Sequence, residues 1–149
     1  MLNQSEQRAI TKAIKIIESK ALVSDLIATN SHAVKDYCQL KLALSEREQF
    51  GVLFLNNQNV LITFEIMFKG TIDAAAVYPR EIAKLALKLN AAAVIFTHNH
   101  PGGALTASIA DKTITDRLVK ALSLLDIRVL DHVIVSPKGS FSFSENGLL

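Results

Sequence analysis

The sequence predicts an α/β fold, a mixed β-sheet flanked by helices, with a helical extension at the N-terminus. Apolar segments with strand character alternate with segments of helical periodicity, but without the strict strand–helix–strand repeat of an all-parallel sheet. The chain has 149 residues, of which 50% are hydrophobic, so it is long enough for one domain with a substantial core, and two independent domains are not expected. We assign residues 1–45 to the extension and residues 46–149 to the domain.

Two amphipathic helices are expected in the extension. Apolar residues recur at helical spacing from Ser5 to about Ala21, and a second apolar stripe follows Ser31 and ends near Leu44. Residues 22–30 are predicted to form a linker between them. Cys38 is the only cysteine, which excludes an internal disulfide and a cysteine-rich zinc finger, and we interpret it as a small core residue.

The domain is expected to open with a β-hairpin. Residues 50–55 and 60–69 have strand character, and the turn sequence Asn56-Asn57-Gln58-Asn59 separates them. Pro79 suits the first position of a helix that runs to about Asn90. A buried strand at residues 91–97, a helix at 108–125 and strands at 128–135 and 140–144 complete the prediction.

The main functional signal lies at the end of the predicted strand at residues 91–97. Strand side chains alternate between faces, so His98 and His100 project to one face and Asn99, a poor ligand, to the other. After a loop containing Pro-Gly-Gly, Ser108 opens a helix with Asp111 in its first turn. Two imidazoles and one carboxylate around an open fourth position are typical of a catalytic zinc site.

Each part of this pattern also has a plain structural interpretation. Ser108 and Asp111 have the spacing of a helix capping box, and histidines at a strand end are often surface residues beside a turn. The occurrence of both pairs in one strand–loop–helix unit favours metal binding over either separate interpretation.

The pattern His98-x-His100-x7-Ser108-x-x-Asp111 resembles the JAMM (MPN) zinc metallohydrolase motif, and the words around it, with Leu130-Asp131-His132, are similar to the RadC family in particular. The resemblance covers about residues 50–149, and the whole chain is similar to short RadC-like proteins often carried on prophages and mobile elements. It implies a curved mixed sheet related to the cytidine-deaminase-like folds, with Zn²⁺ bound by His98, His100 and Asp111.

Such a site also needs a carboxylate that takes and returns a proton. Glu65 lies in an apolar strand where an ionised carboxylate is costly without a partner, although an edge strand would also allow it to face solvent. The resemblance implies that Glu65 is the catalytic glutamate and that Ser108 acts on the zinc water or a developing oxyanion, a role that competes with capping. His132 is expected behind the ligands or in packing rather than as a ligand, with a satisfied core histidine as the alternative.

These residues predict a zinc-dependent hydrolase that cleaves a peptide or isopeptide bond. Two alternatives stay open: a DNA-repair-associated or mobile-element protein that binds or cleaves DNA, and a metal-free MPN module that only binds partners. The net charge is +2 and the basic residues do not cluster, so the sequence lends DNA binding little support. Cytidine deamination is disfavoured because its His-x-Glu and Pro-Cys-x-x-Cys words are missing.

The sequence contains no apolar run that approaches the roughly 20 residues of a membrane span, and no charged-then-apolar leader opens it. The expected location is the cytoplasm. An open sheet edge would also allow a homodimer.

Overall fold

The computed structural model describes residues 2–19, 30–71 and 76–149. Its helices are α1 (Gln4–Ser19), α2 (Ser31–Leu42), α3 (Pro79–Lys88) and α4 (Ile109–Ser123). Its strands are β1 (Gln49–Leu55), β2 (Leu61–Lys69), β3 (Ala93–Asn99), β4 (Arg128–Ser136) and β5 (Gly139–Ser142). The order is the predicted one, and each boundary lies within two residues of its prediction. All of the predicted linker except its last residue falls outside the described residues.

The five strands form one mixed sheet in the order β2-β1-β3-β4-β5. The pair β3–β4 is parallel, whereas β1–β2, β1–β3 and β4–β5 are antiparallel. All seven residues of the central strand β3 are buried. Because β1 is antiparallel and β4 parallel to it, the end of β3 lies between the beginning of β1 and the end of β4. This confirms the predicted α/β class and places the histidines between two neighbouring strands.

Each face of the sheet carries its own apolar core. Helices α3 and α4 cover the face to which Val94 and Phe96 project, and α2 covers the face of Ala93 and Ile95. The period-2 alternation of β3 therefore separates two helical layers. The α3–α4 layer includes Phe50, Val52, Ile82, Ala86, Ile114 and Leu118, and the α2 layer includes Val34, Tyr37, Cys38, Leu42, Leu53 and Val133.

Helix α1 reaches the core on the α2 side only through the partly buried Ile17, and none of its residues is fully buried. Its last turn is attached to α2 through Glu18, which accepts a hydrogen bond of 2.8 Å from the Tyr37 hydroxyl and lies 2.7 Å from Lys41 Nζ. Burial would raise the pKa of Glu18, but these two contacts outweigh it and lower that pKa. Within the described ranges, no helix combines the length and the apolar character needed to cross a bilayer.

Candidate metal centre

Two histidine side chains meet at the end of β3. The strand runs through Asn99, two residues further than predicted, and the His100 amide continues the pairing by donating to Val135 O at 2.8 Å. Nε2 of His98 lies 2.9 Å from Nε2 of His100. The His98 side chain is fully buried, whereas that of His100 is 14% exposed. Strand alternation therefore brings the two imidazoles together as predicted, with His100 on the solvent side.

The beginning of α4 brings Asp111 to the same point. Its Oδ1 lies 3.1 Å from His98 Nε2, and its Oδ2 lies 3.4 Å from His100 Nε2. The predicted capping box is also present, because the Ser108 amide donates to Asp111 Oδ2 at 2.8 Å and the Asp111 amide donates to Ser108 Oγ at 3.0 Å. Capping and convergence on the histidines thus coexist, and the cap fixes the rotamer of the carboxylate.

Hydrogen bonds on the far side of His98 determine which of its nitrogens carries the proton. Thr115 Oγ1 donates to the carbonyl of Asp111 at 2.6 Å, so it must accept from His132 Nδ1, 2.5 Å away. His132 Nε2, which then has no proton, accepts from His98 Nδ1 at 2.8 Å. This chain of hydrogen bonds from Thr115 through His132 leaves Nε2 of a neutral His98 with an unshared electron pair.

The same reasoning applies to His100. Its Nδ1 lies 3.1 Å from the carbonyl of Ala104 and must donate to it, so Nε2 of the neutral ring also has an unshared pair. With both rings neutral, the two electron pairs and the Asp111 carboxylate therefore converge, and a proton gained by His100 would lie on Nε2, facing Asp111. The hydrogen bond with Asp111 raises the pKa of His100 against the opposing effect of burial. Burial would raise the pKa of Asp111, but the bonds with His100 and His98 hold it well below its usual range.

This donor set fits a zinc ion. Tetrahedral zinc with bonds of about 2.0–2.1 Å holds its ligand atoms roughly 3.3 Å apart. The three separations among His98 Nε2, His100 Nε2 and the Asp111 oxygens are 2.9, 3.1 and 3.4 Å. Two imidazole nitrogens and one carboxylate oxygen also form a set that zinc accepts in catalytic sites.

His132 lies behind the ligands rather than among them. It is fully buried, stacks on Phe143 with ring centroids 4.6 Å apart, and packs edge-on against Phe50 and Phe96. Burial lowers the pKa of His132 well below its usual range, which keeps the ring neutral and able to accept from His98. Its neighbour Asp131 bonds Ser142 Oγ and the Ser144 amide instead.

Comparison with known proteins shows the family of the chain. A family model described as the RadC-like JAB domain matches residues 28–148. The chain belongs to this family. It is 47% identical over 148 residues to the UPF0758 protein YkfG of Escherichia coli, which covers 99% of this chain and 94% of the relative. It is 52% identical over 144 residues to a UPF0758 protein of Vibrio cholerae, covering 97% of this chain and 90% of the relative.

The match to the RadC-like JAB domain begins before α2 and so includes a helix that we assigned to the extension. Val34, Cys38 and Leu42 of this helix are buried in one of the two cores. The boundary at residue 45 stays a prediction. The RadC-like fold and the clustering of His98 and His100 with one glutamate, Glu48, together fit a metal-dependent hydrolase.

One sequence-based assignment, the catalytic role of Glu65, does not agree with the structure of this RadC-like domain. Glu65 is exposed in the middle of β2, pairs with Val52 of β1, and accepts a hydrogen bond of 2.9 Å from the Thr63 hydroxyl. Val52 in turn pairs with Phe96, two residues before His98. Glu65 therefore lies two strands away from β3. It faces solvent, which is the alternative that an edge strand allowed.

A different carboxylate, Glu48, stands beside the histidines. One ligand atom from each of Glu48, His98 and His100 lies within 4.8 Å of the other two. Glu48 directly precedes β1, and the pairing of Phe50 with His98 brings this end of β1 to the end of β3. In the sequence it lies in the charged run Glu46-Arg47-Glu48, which resembles a solvated loop. The position immediately before a buried strand was the available signal, but its use required knowledge of the β1–β3 pairing.

Proposed function

We propose that this protein is a zinc-dependent hydrolase that cleaves amide bonds in peptide or isopeptide substrates. The observation that carries the proposal is the convergence of Nε2 of both imidazoles on one carboxylate, with partners on the outer nitrogens that leave each Nε2 of the neutral rings free to bind an ion. His98, His100 and Asp111 would hold the ion. When bound in such a site, zinc makes water acidic enough to act as a nucleophile near neutral pH and polarises a substrate carbonyl.

Glu48 would serve as the proton carrier. Its carboxylate is half-buried beside both imidazoles, and a carboxylate there can take a proton from the attacking water and give it to the departing amine. Transfer of one proton in this way leaves a free acid and a free amine as products. Glu48 thus takes over the role that the sequence had suggested for Glu65.

Ser108 would supply a hydrogen-bond donor to the substrate. Capping uses an electron pair of Oγ, because Asp111 N donates to it, and so leaves the hydroxyl proton available. Ser108 is solvent-exposed at the beginning of α4, next to the ligand Asp111. Its O–H can therefore stabilise negative charge that develops on a substrate oxygen.

Zinc content and amide cleavage test the proposal. Purified wild-type protein should carry about one zinc per chain, whereas His98→Ala and Asp111→Ala should carry little. His32→Ala is the matched control, because the His32 side chain is 76% exposed and lies outside the site. Equal zinc content in wild type and His98→Ala would contradict the metal site.

Activity is then measured on a fluorogenic peptide library and on peptides linked through a lysine side chain. The expected cleavage disappears on chelation and returns on addition of zinc. A zinc-loaded wild-type protein that cleaves neither class would contradict amide hydrolysis while leaving the metal site intact.

A further inference from the structure

The side chain of Asn99 makes three hydrogen bonds, two to the connection between α2 and β1 and one to the first residue of β1. Its Oδ1 accepts from the Gln49 amide at 2.7 Å, and its Nδ2 donates to the carbonyls of Arg47 at 3.0 Å and Ser45 at 3.1 Å. Asn99 is completely buried. Two of the three bonds therefore go to the residues on either side of Glu48.

Side chains alternate between faces along β3, which explains how His98, Asn99 and His100 reach both sides of the sheet. His98 and His100 project to the α4 side, and Asn99 projects to the side covered by α2, from which residues 43–48 arrive. Residues 43–48 belong to neither a helix nor a strand, so the position of Glu48 depends on hydrogen bonds that are specific to this segment. The Asn99 amide supplies such bonds, and the Gly70 amide adds one by donating to Glu48 O at 2.8 Å.

The chemistry of the amide matches this task. An asparagine side chain offers one acceptor and two donors, and here it accepts from one backbone N–H and donates to two carbonyls. An aspartate would place a carboxylate against two carbonyl oxygens, and an alanine would leave three partly buried backbone groups without these partners.

We propose that Asn99 is the positioning residue for Glu48. The triplet His98-Asn99-His100 then supplies two metal ligands on one face of the sheet and holds the proton carrier, Glu48, from the other face. This inference rests on the proposed function, because that function makes Glu48 the proton carrier. It predicts that removal of the Asn99 amide changes the surroundings of a bound ion only through Glu48.

A double-mutant cycle on the 149-residue chain loaded with Co²⁺ tests this, because the visible absorption of cobalt reports its ligand field. Glu48→Gln should change the spectrum, and Asn99→Ala should change it in the same direction. In the Glu48→Gln background, Asn99→Ala should add nothing. An equal effect of Asn99→Ala in both backgrounds would overturn the proposal, as would an unchanged spectrum in Asn99→Ala or in Glu48→Gln.

Two further variants distinguish the proposed effect from a general loss of fold. Asn99→Thr suits a strand and is too short to reach all three partners, so it should act like Asn99→Ala. Asn56→Ala is the matched control, because Asn56 Oδ1 accepts from the amides of Gln58 and Val60 at the opposite end of β1. It should lose comparable hydrogen bonds and leave the cobalt spectrum unchanged.

Amide hydrogen exchange in the metal-free protein separates this inference from the proposed function. Loss of one hydrogen bond should accelerate exchange of the Gln49 amide by about tenfold in Asn99→Ala, with little change at Leu55. Wild-type protein that binds no cobalt would refute the metal site, and the exchange rate would still decide whether Asn99 holds the segment. Unchanged exchange at Gln49 would overturn the inference by itself.

Discussion

His98 Nδ1 donates a hydrogen bond of 2.8 Å to His132 Nε2, so a residue of β4 fixes the tautomer of a neutral imidazole in β3. The two strands are parallel neighbours, and His132 pairs with Phe96, two residues before His98. The direction of the bond follows from Thr115, whose hydroxyl donates to a backbone carbonyl and so accepts from His132. Outer partners of this kind orient metal-binding histidines and increase their basicity.

Replacement of His132 by phenylalanine should weaken zinc binding without loss of the fold. Phenylalanine fits the aromatic surroundings formed by Phe50, Phe96 and Phe143 but cannot accept from His98 Nδ1. We expect the zinc affinity to fall about 10–100-fold, measured by competition with a chromophoric chelator. Thermal unfolding serves as the control for folding. Wild-type affinity in His132→Phe would show that the bond to His98 does not tune the ligand.

A matched pair of glutamate variants distinguishes Glu48 from Glu65 as the proton carrier. Glu48→Gln should retain zinc and lose most amide cleavage, by about 10²–10⁴-fold, because the amide cannot accept and return a proton. Glu65→Gln should retain both, since Glu65 is exposed on β2 and bonds Thr63. Steady-state cleavage rates of the zinc-loaded variants decide between them. The reverse result would restore the assignment made from the sequence.

Replacement of Ser108 by alanine should lower both stability and turnover. The Ser108 hydroxyl caps α4 by accepting from the Asp111 amide, and loss of such a cap costs about 1 kcal/mol. Zinc should still bind, because the Ser108 amide continues to hold Asp111 Oδ2. Chemical denaturation and zinc content are measured on the same preparation. A cleavage rate equal to that of wild type would leave Ser108 with capping alone.

The thiol of Cys38 should resist alkylation for as long as α2 stays on the sheet. Cys38 is completely buried, and this burial raises its pKa to about 12. At pH 8 the thiolate population should then be roughly a thousandfold lower than in the unfolded chain. The rate of reaction with iodoacetamide is compared in native buffer and in denaturant. Rapid alkylation of the native protein would indicate that α2 separates easily from the sheet.

Local patterns were sufficient for most of the fold and for three of the site residues. Periodicity gave the elements, strand alternation placed His98 and His100 together, and the spacing from Ser108 to Asp111 gave both the cap and the third group. Each of these rests on residues close together in the sequence. The structure then combined interpretations that had been treated as competitors, since Asp111 belongs to the cap and also faces the histidines.

The role of Glu48 depended on long-range pairing, which local patterns do not contain. Glu48 reaches the histidines only because β1 runs antiparallel to β3, with Phe50 opposite His98. Glu65 was misleading because an isolated carboxylate in an apolar strand is compatible with a buried site as well as with an exposed edge. Strand order, rather than composition, distinguishes these two cases.

The register of β3 has a consequence for folding. A shift of one residue would turn both imidazoles into the apolar layer beneath α2 and would direct Asn99 towards α4. A chain misaligned in this way could not gather the ion's ligands, so metal would stabilise only the correctly aligned sheet. Zinc supplied during refolding should therefore increase the fraction of chains that reach the correct strand register.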